Sequence, residues 1–107
     1  MAQVPEGIKQ IVENYIRQLK KEIPVEKVVL FGSYAKGDYH KDSDVDLAIF
    51  SDYFDGMRRV DGINYLLLRA MEYDIDLEPL PFTKADYIEK SGFAREVLKE
   101  GIEINVN

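Results

Sequence analysis

The sequence predicts an α/β (α+β) fold in which several helices pack on a small β-sheet. Three observations lead there. Residues 6–23 place apolar side chains at helical spacing, two short apolar runs at 27–31 and 44–50 read as strands, and further helical and strand-like segments alternate to the end. The 107 residues are 46% hydrophobic and 32% charged, and they contain no repeat, linker or shift in composition. One globular domain over 1–107 is therefore expected, with room for a single core.

In the first helix Ile8, Ile11, Val12, Tyr15, Ile16, Leu19 and Ile23 share one stripe, and Pro24 stops it. "KVVLF" (27–31) is short, apolar and β-branched, and Gly32 cuts it off, so it reads as a central strand. "GSYAKG" suits a turn with a short helical segment, and "DYHKDS" is polar and loop-like. In "DVDLAIF" (44–50) Val45, Leu47 and Ile49 alternate with Asp44, Asp46 and Ala48, and period two sends both aspartates to one face. "YDIDLEPLPF" (73–82) has the same design, with Ile75 and Leu77 alternating with Asp74, Asp76 and Glu78. Between these strands a helix over 57–73 is expected, with Val60, Ile63, Leu67, Ala70 and Met71 on its apolar side. Short helices at 84–90, capped by Thr83, and at 93–100, closed by Gly101, precede an edge strand in "IEINV".

Charge and composition exclude several functions. Lys and Arg number 14 against 20 Asp and Glu, and the formal charge of −6 disfavours direct nucleic-acid binding and anionic membranes. Without cysteine there is no disulfide framework and no thiolate metal site. No apolar stretch is long enough for a membrane span and nothing resembles a signal segment, so a cytoplasmic protein is expected.

Asp44 and Asp46 open a core strand, where two carboxylates on one face repel each other. Residues two apart on a strand stand roughly 6.5 to 7 Å apart, and side chains leaning inward converge on a point where a divalent cation can sit. Magnesium suits such a place, because it takes carboxylate oxygens and keeps positions for water and phosphate. An isolated Asp-x-Asp pair is commonly a solvated strand end, so the pair alone decides nothing. Gly32 and Ser33 change this. Glycine permits close backbone approach, and the amides and hydroxyl that follow can cradle phosphate oxygens. Gly-Ser, ten residues and Asp-x-Asp arise by chance in about two chains per thousand of this length.

The segment "LFGSYAKGDYHKDSDVDLAIF" resembles the nucleotidyltransferases of the DNA polymerase β superfamily, and most of all the minimal nucleotidyltransferases paired with HEPN-domain toxins. The resemblance implies the polymerase β-like fold, with a mixed sheet, over about 5–104. It implies that Gly32 and Ser33 hold the triphosphate and that Asp44 and Asp46 bind Mg²⁺, two ions arriving with ATP or another NTP. Glu78 or Asp76 is then the third carboxylate, which activates the attacking hydroxyl and contributes to the metal site. Glu78 is favoured, since relatives tend to carry an acid just before proline. Many relatives have a basic residue after Gly-Ser where this chain has Tyr34, which leaves Lys36 as the nearest cation for phosphate.

The remaining polar residues carry plainer readings. "GSYAKG" lacks the Gly-Lys-Ser/Thr ending of a P-loop. His40 reads as a solvated loop residue, Arg58, Arg59 and Arg69 as a solvated helix face, and Asp74 as the start of a strand. The expected function is Mg-dependent transfer of a nucleoside monophosphate, AMP from ATP, to a hydroxyl of a partner protein, with a HEPN toxin as the implied acceptor. The alternative is an antitoxin subunit that neutralises its partner by contact. A glycosyltransferase would also use Asp-x-Asp, but it would leave Gly32 and Ser33 unexplained. Homo-oligomerisation is left open by the sequence.

Overall fold

In the computed structural model, which describes residues 4–89 and 92–106, the apolar stripe of the first segment forms helix α1 (Glu6–Lys20). Val12, Tyr15, Ile16 and Leu19 are its buried residues. The helix ends at Lys20, short of Pro24, because the N–H groups of Glu22 and Ile23 both close on the Leu19 carbonyl at 2.9 Å and turn the chain. Ile23 still reaches the core from this turn.

Four strands follow: β1 (Lys27–Phe31), β2 (Val45–Phe50), β3 (Leu77–Phe82) and β4 (Ile102–Ile104). They form one mixed sheet in the order β3-β2-β1-β4, with β2 and β3 parallel and the other pairs antiparallel. The two longest apolar runs therefore occupy the centre, where both faces are covered. Val28, Leu30, Val45, Leu47, Ile49 and Leu77 pack with α1 and with α3 (Arg59–Ala70). The Tyr15 hydroxyl donates to the Leu66 carbonyl at 2.8 Å and ties the two helices together, and its burial pushes the Tyr15 pKa up. On the other face Val29, Ala48, Phe50 and Phe82 meet Ala94 and Val97 of α5 (Gly92–Glu100). Short α4 (Lys84–Glu89) adds Tyr87 there.

Two expectations change. Strand β3 begins at Leu77, so Asp74, Ile75 and Asp76 precede it. The Leu77 N–H turns back to the Ile75 carbonyl at 3.0 Å, while the Asp76 carbonyl accepts from Val45 N–H at 2.8 Å. At the other end Ser51 N–H donates to the Phe82 carbonyl at 3.0 Å. Even-numbered β3 residues thus turn their backbone groups toward β2, and the backbone nitrogens of Pro79 and Pro81, which carry no hydrogen, lie on the free edge while their rings are buried. The prolines lose no ladder bond there and leave no donor for a further strand.

The second change concerns α3. Its buried positions are Gly62, Leu66 and Ala70, whereas Val60, Leu67, Leu68 and Met71 are exposed. Gly62 sets this rotation. A Cβ on it would lie 3.0 Å from Pro81 Cγ and 3.3 Å from Phe54 Cδ1, so the helix rests on β3 through its one residue without a side chain. Helix α4 is capped as expected: Thr83 Oγ1 accepts from Asp86 N–H at 3.1 Å and Asp86 Oδ2 from Thr83 N–H at 2.9 Å. The expected end of that helix at Lys90 lies outside the described residues. Among the described residues no helix is long and apolar enough to cross a membrane.

Candidate functional site

Strand β1 delivers the chain to Gly32, whose φ of 74° and ψ of −151° belong to a region that only glycine adopts readily. The chain then winds into α2 (Ser33–Lys36), with Ala35 and Lys36 N–H both donating to the Gly32 carbonyl at 3.1 Å. A Cβ on Gly32 would sit 3.1 Å from Asp46 Cγ and closer still to its Oδ2. The missing side chain is what lets this backbone lie against the Asp46 carboxylate.

Sheet register brings in the third acid. Phe31 of β1 pairs with Asp46 of β2, and Asp46 pairs with Glu78 of β3, so the three form one rung across the sheet. Asp44 stands just before β2, on the same alternation as Asp46. Asp46 is half-buried, while Asp44 and Glu78 are exposed. Burial, then the charge of Asp44, then that of Glu78, push the Asp46 carboxyl up to about 6. The charged groups that move it are both acids, so the rung holds concentrated negative charge beside a backbone turn.

This donor set fits magnesium in its chemistry, being made of carboxylate oxygens alone. It is not a closed cage. Among the described residues no three Asp, Glu, His or Cys side chains gather tightly enough to hold an ion unaided. An ion that completes its shell with phosphate oxygens and water needs no such cage.

The other residues singled out from the sequence take varied places. Ser33 is half-buried at the first position of α2. Tyr34 is buried and stacks on Tyr39 with centroids 4.4 Å apart, so it turns into the core and away from any phosphate. Lys36 is exposed and borders a groove with Gly32. Asp76 is exposed and lies ahead of β3, bordering one hollow with Lys41 and Ser43 and another with Glu78. It lies off the rung and is not among the groups that shift Asp46.

His40 organises its loop: its N–H donates to Ser43 Oγ at 2.8 Å and its Nδ1 accepts from Asp42 N–H at 3.3 Å. The arginines form no common strip. Arg58 pairs with Asp61 at 2.9 Å, Arg69 pairs with Glu22 at 2.8 Å, and Arg59 lies over the Phe82 ring. Sequence reasoning missed Phe31 and Phe93, which line the Lys36 groove. Phe31 reads in the sequence only as part of the strand 27–31 and Phe93 carries no signal there, and the fold leaves Phe93 48% exposed.

Residues 12–104 match the family described as "Nucleotidyltransferase domain". A Methanocaldococcus jannaschii protein named "putative protein adenylyltransferase" is 33% identical over 102 residues, which cover 89% of this chain and 99% of that one. Further relatives, from Shewanella oneidensis and Thermococcus cleftensis, are also named protein adenylyltransferase. A crystal structure from Sulfolobus solfataricus, titled "a putative nucleotidyltransferase", superposes with a TM-score of 0.70 at 19% identity, covering 91% of this chain and 78% of that one, and shows the shared fold. A crystal structure titled as a toxin-antitoxin with AMP-PNP superposes with a TM-score of 0.56 at 26% identity, covering 89% and 73%.

Proposed function

The chain belongs to the nucleotidyltransferase domain family, and from that premise we propose that it transfers AMP from ATP to a hydroxyl of a partner protein. The observation that carries this reading is the rung of Asp46 and Glu78 with Gly32 pressed against Asp46. Gly32 and Ser33 offer backbone amides and a hydroxyl to the triphosphate, and Lys36 offers a cation at the rim of the same turn. Asp44, Asp46 and Glu78 are the proposed holders of Mg²⁺. When bound, the metal supplies charge neutralisation of the phosphates and aligns them for in-line attack.

The chain's own residues then position and deprotonate. Asp46, whose carboxyl is held high by burial and its acidic neighbours, is poised to give up its proton to the solvent as cations arrive. Glu78, exposed on the edge strand, accepts the proton of the incoming hydroxyl as that oxygen attacks the α-phosphorus, and pyrophosphate leaves. The new bond is a phosphodiester to the acceptor, and the broken one joins the α- and β-phosphates.

A protein acceptor suits the surface next to Glu78. A groove at the β3 edge is lined by Leu67, Met71, Ile75, Asp76 and Glu78, and Leu67 and Met71 belong to the exposed apolar side of α3. Similarity to a toxin-antitoxin structure supports a toxin as the acceptor, and a HEPN-type toxin is the specific proposal. The test mixes the purified chain, the product of the neighbouring gene, Mg²⁺ and ATP, and weighs the partner by mass spectrometry. An added AMP on the partner is expected. A tight inhibitory complex with no added mass under any NTP would replace transfer by neutralisation through contact.

A further inference from the structure

The groove beside Gly32 and Lys36 is lined on its far wall by Phe93, Glu96 and Val97 of α5, and encloses about 240 Å³. Phe93 packs edge-on to Phe31, with centroids 5.6 Å apart and planes at 82°, and remains 48% exposed. Phe82 stands beside the same ring, with centroids 6.2 Å apart and planes at 33°, and the part of Phe93 that these two neighbours leave free borders the groove. Phe31 belongs to the same rung as Asp46, so the ring lies on the sheet face that carries the carboxylates. Glu96 follows Phe93 by three residues on α5, which places the two side chains next to each other on one helix face.

We propose that Phe93 is the seat of the nucleobase and that Glu96 selects a base carrying an amino group. This rests on the nucleotidyl-transfer reading and adds to it where the base goes and what discriminates it. With the triphosphate at Gly32 and Ser33, the groove is the neighbouring space into which the rest of the nucleotide extends. A purine stacks on the open part of the Phe93 ring, and its edge meets the Glu96 carboxylate. A carboxylate set opposite the 6-position accepts from the amino group of adenine but meets the 6-oxo oxygen of hypoxanthine, whose donor, N1–H, lies one atom further round the ring. ATP should therefore be favoured over ITP, which has an oxo group at that position and a hydrogen on N1.

The experiment measures Mg²⁺-dependent binding of ATP, ITP and inorganic tripolyphosphate to the full chain by calorimetry. The wild type is expected to bind ATP several-fold tighter than ITP. Phe93→Ala should weaken ATP about ten-fold, the scale of one base-aromatic stack, and leave tripolyphosphate unchanged. Phe93→Trp should restore ATP binding, and Glu96→Leu should erase the preference over ITP. If ATP binds Phe93→Ala as tightly as wild type, the base seat is overturned while nucleotidyl transfer stands. Equal loss of ATP and tripolyphosphate in Phe93→Ala, unrescued by tryptophan, would assign Phe93 to the fold and overturn the seat too. If the wild type binds neither ligand, the transfer reading falls and this inference falls with it.

Discussion

Gly32 meets Asp46 so closely that a methyl group on it would stand 3.1 Å from the Asp46 Cγ. Its positive φ of 74° adds a second reason why no other residue fits. Gly32→Ala is expected to destabilise the fold by about 2 kcal/mol and to abolish nucleotide binding. Gly56→Ala is the control, because Gly56 also has a positive φ, 73°, but nothing stands within 4 Å of its missing Cβ. Urea unfolding and calorimetry should show a stability loss in both variants and a binding loss only in the first.

Asp46 should make the metal-free protein less stable as pH rises. Its folded pKa of about 6 lies above the ordinary value of 3.8, so the folded chain holds this proton more tightly than the unfolded chain does. The stabilising contribution is full below pH 3.8, is lost as pH rises to about 6, and stays lost above. Partial solvent contact screens the effect to about 1 kcal/mol. Asp46→Asn should therefore raise stability by that amount at pH 8 and change little at pH 4, in thermal melts with chelator present. The same variant should lose Mg-dependent NTP binding. A stability gain equal at both pH values would contradict the shift.

Glu78 and Asp76 separate by placement. Glu78 is on the rung with Asp46, whereas Asp76 lies ahead of β3. Glu78→Gln is expected to abolish transfer while Mg-NTP affinity stays within a few-fold, because Asp44, Asp46 and the phosphate oxygens still hold the metal and the group lost is the one that works on the attacking hydroxyl. Asp76→Asn should be milder. Single-turnover rates alongside binding constants decide between them, and the reverse ranking in folded variants would move the role to Asp76.

Gly62 should resist the usual benefit of replacing a helical glycine. Alanine ordinarily gains about 1 kcal/mol at such a position. Here its Cβ would press on Pro81 and Phe54 at 3.0 to 3.3 Å, so Gly62→Ala should give no gain. Gly62→Leu should cost about 2 kcal/mol through overpacking. Urea midpoints at constant slope measure both.

Periodicity by itself determined most of the framework, because each element announces its buried side locally. The stripe in α1, the runs of β1 and β2, the Thr83 cap and the glycine that ends α5 are all short-range signals. Gly32, Ser33, Asp44 and Asp46 were legible for the same reason: their spacing spans one strand, turn and strand. What only the tertiary structure decided depends on pairing between distant segments. The face that α3 buries follows from Gly62 lying on Pro81, a contact that no 3.6-residue pattern encodes. Which of the two acids, Asp76 or Glu78, stands opposite Asp46 follows from the parallel register, and alternation alone treats the two alike. No local pattern singles out Phe93, and its exposed place beside Gly32 exists because α5 crosses back over the sheet.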